Sequence, residues 1–387
     1  MSDDEPLMTV TTEHLNTGLR GIPVGTCLTS FVTPTEGVHY CGYPVADLAH
    51  LPVEDVIYLL FEKELPTSEQ ASSFRSNLSA RGSVDASVHP VLASLPRSGH
   101  PMDWLSIGIH TLGMAETTGD WKDDALNLVA RMPRLLGLIF RYRDGRVEDI
   151  PEDDLSLGLV DRFIRTLEPV GTDVEKMREV LNAYLVLHLD HGGGNLSTFT
   201  GKATASGKAT LYASMASAMN SLSGPLHGRA NQSCLEFVLR VGTSEPSEVE
   251  RFIRAELDAK RPVYGFGHAV LRAEDPRATY QFALGERLCP EDPNFAIVRT
   301  LREVAPRILA ENPKISNPHA NVDIASGTLL HHVGLTDPEY YTTFFGWARV
   351  AGIGAQIVDE QTVMRSGKGV PIYRPKYIAE GQTARRL

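Results

Sequence analysis

The sequence predicts a mainly α-helical protein built from two domains. Apolar residues recur at helical spacing through most of the chain, and strand-like stretches are few. The length of 387 residues also gives enough chain for a large core and a second, smaller one.

Taken in order, "GVHYCGYPV" near the N-terminus suits a short hairpin strand. "LPVEDVIYLLFEKELPT" reads as a short helix with one apolar face, ended by Pro66. "WKDDALNLVARMPRLLGLIFRYRDG" is a longer helix, bent at Pro133 because proline lacks an N–H and crowds the preceding turn. In "DVEKMREVLNAYLVLHLDH", Met177, Val180, Leu181, Tyr184 and His188 share one helical face, and the run Gly192 to Asn195 ends the helix. "KATLYASMASAMNSLSG" is rich in Ala and Ser, so it reads as a buried helix in close contact with its neighbours. "SEVE", Ser247 to Glu250, fits a capping box. "EYYTTFFGWARVAGIGAQIVDEQTVM" is a long apolar helix whose middle is weakened by Gly352 and Gly354.

A formal charge of -11 argues against general nucleic-acid binding, which needs a basic face. It leaves room for an anionic substrate held by local arginines. Cys27, Cys41, Cys234 and Cys289 show no CxxC spacing and read as free thiols. "MSDDEPLM" is acidic and has no apolar centre, and no run is long and apolar enough for a membrane span. The expected location is the cytoplasm.

Two nucleotide motifs fail. "GKATASGKA" has the wrong glycine spacing for a phosphate loop and lacks its Ser or Thr, and "GFGHAV" lacks the third glycine of a dinucleotide fingerprint. "HLDH" places His188 and His191 at a spacing open to metal ligands, although histidines closing a helix are the plainer reading. Other polar residues sit beside chain breakers: His191 before three glycines, His227 in "GPLHG", His268 in "GFGH" with Arg272 after it, and Asp323 in "NPHANVDIASG". Arg349 interrupts "FFGWARVAG", and Arg374 lies in "YRPKY". Each alone has a plain structural role, such as Asp323 capping "IASGTLLHH". Together they supply acid, base and carboxylate clamps.

"HLDHGGGN", "GPLHGRANQ", "YGFGHAVLRAEDPR", "NVDIASG" and "RPKYIAEG" resemble, in order and spacing, the signature segments of the citrate synthase family. The likeness runs from about Gly18 to Gly381. It implies a helical fold with a large domain, 1–228 and 333–387, and a small domain, 229–332, that closes over the substrates. It implies a dimer, or a multiple of dimers, that joins acetyl-CoA to oxaloacetate and hydrolyses the citryl-CoA formed, with no metal or redox cofactor. By the same resemblance His227, His268 and Asp323 are the catalytic residues. His191, Arg272, Phe345, Arg349 and Arg374 form the oxaloacetate pocket, Arg374 reaching in from the partner subunit. Val263, Tyr264, Gly265, Phe266 and Gly267 contact CoA, and Lys314 is a candidate for its phosphates.

The chemistry accounts for these residue types. Asp323 can take a proton from the thioester methyl only if the enolate is stabilised as it forms. A neutral His227 can donate to the thioester oxygen, and its place before the helix "RANQSCLEFVLR" disfavours the charged ring. His268 would polarise the ketone of oxaloacetate, and arginines bind carboxylates as planar forks. Three departures from the family pattern stand out. Cys41 replaces a frequent arginine, Gly192 replaces a frequent glutamate, and Ile324 and Ala325 follow the aspartate. The nearest alternative is 2-methylcitrate synthase, which uses propionyl-CoA. A non-catalytic assembly protein of the same descent is disfavoured because it would need none of the three catalytic groups.

Overall fold

The computed structural model of the protein describes residues 6–268, 270–378 and 381. The chain starts with a 3-10 turn and a three-stranded antiparallel sheet, β1 (Ser30–Thr33), β2 (Gly37–Tyr40) and β3 (Tyr43–Pro44), ordered β1-β2-β3. The expected hairpin is β2–β3, which turns through Cys41 and Gly42, both left-handed at φ 47° and 95°. β1 was not expected: "SFVT" is too short to alternate visibly, and it is a strand because Ser30 to Thr33 pair with Tyr40 to Gly37.

Helices make up the rest of the ordered framework. The first ten are α1 (Val45–Leu48), α2 (Val53–Glu62), α3 (Ser68–Arg81), α4 (Val88–Ser94), α5 (Pro101–Glu116), α6 (Trp121–Asp144), α7 (Leu159–Leu167), α8 (Val174–His188), α9 (Leu196–Ser206) and α10 (Leu211–Leu222). Then come α11 (Ala230–Val241), α12 (Pro246–Asp258), α13 (Pro276–Leu288), α14 (Pro293–Leu309), α15 (Asp323–His332) and α16 (Tyr341–Val358), which runs into a π-helical turn at Asp359–Val363. The mainly α-helical prediction holds. Helices α11 to α15 pack chiefly on one another, while α1, α8 and α16 touch them from the rest of the chain.

Helix ends differ from expectation where backbone geometry overrides sequence signals. α2 stops at Glu62, closed by Lys63 in a left-handed conformation at φ 70°, before Pro66 is reached. The capping box at Ser247–Glu250 does not form, since Pro246 starts α12 and Glu245 precedes it without a side-chain bond. Asp323 is the first residue of α15 and not its cap, which is Val322. α8 carries Met177, Val180, Leu181, Tyr184 and His188 on its buried face and ends before the glycine run.

α10 is buried as expected, with Ser214, Met215, Ala216, Ala218 and Met219 at 0% exposure. α16 crosses the core as a nearly uncharged helix; Arg349 is its one charged residue. Gly352 is a contact point there: a Cβ would lie 2.2 Å from Leu189 O and 2.7 Å from Asp190 Cβ. α16 can thus lie against the end of α8, which brings Arg349 beside His188.

Candidate active site

Two groups of elements meet at the site. α8 and the turn after it supply His188 and His191, and α16 supplies Phe345 and Arg349. From the other side come the loop residues 263–268, the start of α13 and the start of α15.

His227 sits in the turn between α10 and α11. α10 ends at Leu222, before Pro225, and Gly228 N–H donates to Leu222 O at 3.0 Å. A Cβ on Gly228 would lie 2.1 Å from that oxygen, so only glycine lets the chain double back here. The ring is half-buried, and its Nε2 accepts the backbone N–H of Ser197 at 3.1 Å. Ser197 lies in the first turn of α9, so the helix N-terminus facing the ring belongs to α9, not α11. A backbone N–H cannot accept, so the imidazole proton sits on Nδ1, the nitrogen left to donate to a ligand. Burial, then the charge of Arg349, lowers its pKa to about 4.

His268 has the opposite tautomer. Its Nδ1 accepts the N–H groups of Val270 and Leu271, both at 3.0 Å, which puts the proton on Nε2. Its ring centroid lies 5.6 Å from that of His191. Burial, followed by Arg277, lowers the pKa of both rings, that of His191 well below the usual value. Asp323 moves the other way. Burial raises its carboxyl to about 6, against the opposing charge of Arg277 and with a further push from Asp275. A buried carboxylate near neutrality and two neutral histidines with opposite tautomers make an acid–base set.

Arg349 is buried, its Nε donating to His188 O at 3.1 Å and its guanidinium 4.6 Å from the centre of the Phe345 ring. Phe345 in turn meets His188 edge-on at 5.5 Å. The His188 ring is committed elsewhere, with Nδ1 donating to Tyr184 O at 2.7 Å, and burial lowers its pKa to about 3. Among the described residues no group of three or more His, Cys, Asp or Glu could hold a metal ion.

The two arginines of "VLRAEDPR" are placed unlike the expectation. Arg272 is exposed, and its Nη1 donates to the carbonyls of Val270 and Leu271 at 3.0 and 2.8 Å. It braces the His268 loop. Arg277 is buried in a bidentate pair with Asp275, Nη2 to Oδ2 at 2.7 Å and Nε to Oδ1 at 3.1 Å. Its charge acts on His188, His191, His268 and Asp323. One signal in the sequence could have pointed to it. Asp275-Pro276 is a helix start, and an arginine in a first turn opposes the helix dipole, so it needs another reason to be there.

The remaining expected residues lie around this centre. Gly265 and Gly267 have φ of 82° and 85°, and the loop joins the segment before Asp323 through a Phe266–Ala320 bridge and Gly267 N–H to His319 O at 3.0 Å. Val263 and Tyr264 are half-buried, and Lys314 is exposed. Arg374 is exposed on an arm after α16, where its neighbour Tyr373 donates to Glu360 Oε1 at 2.8 Å. The Cys41 thiol donates to Leu59 O at 3.4 Å, and Gly192, at φ 74°, donates its N–H to Ser30 Oγ at 2.7 Å.

Comparison with known proteins identifies the family. The family model described as "Citrate synthase, C-terminal domain" matches residues 18–376. The mitochondrial citrate synthase of Citrus maxima is 34% identical, over 93% of this chain and 81% of its own. The mitochondrial 2-methylcitrate synthase of Yarrowia lipolytica is also 34% identical, over 93% of this chain and 82% of its own. The crystal structure of citrate synthase from Thermotoga maritima superimposes with a TM-score of 0.82 at 26% identity, covering 96% of this chain and 97% of that one. By fold, by sequence and by the residues gathered between α8, α13, α15 and α16, the chain belongs to the citrate synthase family.

Proposed function

We propose that the protein is a citrate synthase, an acyltransferase that condenses acetyl-CoA with oxaloacetate and hydrolyses citryl-CoA to citrate and CoA. What supports this reading is a buried carboxyl, Asp323, raised to about 6, together with a neutral His227 whose Nε2 accepts the Ser197 N–H and whose Nδ1 is left to donate. Asp323 takes a proton from the thioester methyl, and the nearer its pKa to neutrality, the better it does so. His227 Nδ1–H donates to the thioester oxygen as negative charge grows there. The enolate carbon then bonds to the ketone carbon of oxaloacetate, whose oxygen is polarised by His268 Nε2–H. Water cleaves the resulting thioester and releases CoA.

Arg349, Arg277 and His191 are the groups placed to hold the oxaloacetate carboxylates; Arg277 takes the role expected of Arg272. Val263 to Gly267 and Lys314 serve CoA, and the reaction needs no metal or redox cofactor. The helices of 229–332 form the small domain that closes, excluding water from the enolate. Two copies form a dimer in which Arg374 completes the partner's site. The test is thiol release from acetyl-CoA that depends on oxaloacetate.

A second reading, 2-methylcitrate synthase, is favoured by the Yarrowia relative. One methyl group in an apolar pocket changes discrimination by about 1–3 kcal/mol, so kcat/KM for acetyl-CoA against propionyl-CoA separates the two. Among the described residues no helix is long and apolar enough to cross a membrane. The cytoplasmic expectation finds no support in the Citrus and Yarrowia relatives, both of which are named as mitochondrial.

A further inference from the structure

Asp190 lies between the two substrate-facing segments of the large domain and is itself 0% exposed. Four neutral donors converge on its carboxylate. Oδ2 accepts the hydroxyl of Thr29, and that of Ser30 at 2.7 Å. Oδ1 accepts the backbone N–H of His191 at 2.9 Å and the side-chain amide of Gln356 at 2.8 Å. Ser30 Oγ also accepts Gly192 N–H at 2.7 Å, so both amides of the His191–Gly192 turn are fixed, one directly and one through a hydroxyl.

Gln356 lies on α16, further along the helix that carries Arg349. Its own carbonyl faces Lys202 Nζ at 3.3 Å, and Lys202 is paired with the buried Glu360 at 2.9 Å. Asp190 therefore joins the turn after α8 to the last turn of α16 and to the start of β1. The four bonds to the Asp190 carboxylate are made in a buried setting, where a hydrogen-bonded arrangement is favoured over any that leaves a donor unpaired. Asp190 is also the leading negative charge acting on Arg349.

We infer that Asp190 is a positioning residue: its carboxylate fixes the His191 turn against the helix bearing Arg349, so that these two oxaloacetate-binding groups keep their spacing. The inference rests on the oxaloacetate reading above. An asparagine can keep most of this geometry. Its oxygen can face the two obligate donors, His191 N–H and the Gln356 amide, while its amide group faces hydroxyls that can rotate to accept. An alanine can keep none of it.

Calorimetry of oxaloacetate binding to the full-length protein, with KM for both substrates, tests this on Asp190→Ala, Asp190→Asn and Ser30→Ala. Asp190→Ala should weaken oxaloacetate binding about tenfold or more, the scale of losing hydrogen bonds to a charged group. KM for acetyl-CoA should stay within about threefold, since His191 holds the other substrate. Asp190→Asn should restore oxaloacetate affinity to within about threefold of wild type, and Ser30→Ala should fall between the two. A folded Asp190→Ala that binds oxaloacetate normally overturns the inference, as does an Asp190→Asn no better than Asp190→Ala. If Asp190→Ala does not fold, unchanged affinity in Ser30→Ala overturns it. A wild-type protein that binds no oxaloacetate ends the functional reading and this inference together. Normal wild-type binding with an indifferent Asp190→Ala ends this inference alone.

Discussion

The backbone N–H of Ser197 donates to Nε2 of His227 at 3.1 Å. Ser197 lies in the first turn of α9 and His227 in the turn between α10 and α11, and their contact decides which nitrogen of the ring carries the proton. Because Nε2 is an acceptor, Nδ1–H is the donor left for a ligand, which in the proposed reaction is the thioester oxygen. With a pKa near 4, His227 is neutral across the working range and keeps its tautomer.

His227→Gln should therefore slow enolisation by about a hundredfold to a thousandfold, the scale of removing one donor from an oxyanion site. Oxaloacetate affinity should change little, because His227 is assigned to the thioester. Exchange of the acetyl methyl hydrogens, measured with a non-reacting oxaloacetate analogue, reads the first effect, and calorimetry reads the second. Normal exchange with lost analogue affinity would reverse the roles of His227 and His268.

As the proposed base, Asp323 should set the acid limb of the pH profile. As a base it must be ionised, so kcat/KM should rise with pH through about 6 and then level off. Asp323→Ala should abolish turnover. Its stability effect has the opposite sign to that of a salt-bridged carboxylate. The folded pKa is above the unfolded one, so the native state binds more protons between about pH 4 and 6, and stability is lost as pH rises through that window. Asp323→Asn should thus be inactive yet more stable than wild type at pH 7, by on the order of 1–3 kcal/mol, with no gain near pH 4. Urea unfolding at the two pH values checks this, and equal differences at both would refute it.

Arg277 and Arg272 should separate cleanly. Arg272→Ala removes, among its contacts, bonds to the carbonyls of Val270 and Leu271 from an exposed side chain and should change oxaloacetate KM by no more than about threefold. Arg277→Lys keeps a charge beside Asp275 but loses the planar fork, and should raise oxaloacetate KM by about tenfold to a hundredfold. Circular dichroism confirms folding, which matters because breaking a buried pair is costly. The reverse ranking would return the ligand role to Arg272.

Arg374 is tested by mixing two inactive proteins, Asp323→Ala and Arg374→Ala, after dissociation and reassociation. If each subunit lends its arginine to the other, one site of every hybrid dimer has both defects and the other has neither. Random pairing should then restore about a quarter of all sites. Persistent inactivity, with hybrids confirmed by native mass spectrometry, places Arg374 in its own subunit's site or outside the site altogether.

The sequence by itself determined the mainly helical class and several of the helices, among them α2, α6, α8, α10 and α16, and it marked the short segments around which the proposed site is built. Periodicity is a local property: the buried face of α8, from Met177 to His188, is legible because helical geometry fixes which residues share a side. The breakers around His227 and the segments "GFGH" and "NVDIASG" were legible for the same reason, since a histidine or aspartate beside a turn stands out from its neighbours. Helix ends were less so. Lys63 closes α2 by adopting a left-handed conformation that its side chain does not announce, and Pro246 pre-empts the cap at Ser247. Tertiary structure decided everything that depends on a distant partner. Arg272 and Arg277 look alike in sequence, but Arg277 is buried in a pair with Asp275 and Arg272 is exposed, bonding to carbonyls of its own loop. The tautomer of His227 depends on Ser197, the raised pKa of Asp323 on burial, and the fixing of His191 on Asp190 with Ser30 and Gln356. Desolvation and hydrogen bonding act through space, and sequence order records only the chain path between the groups they bring together.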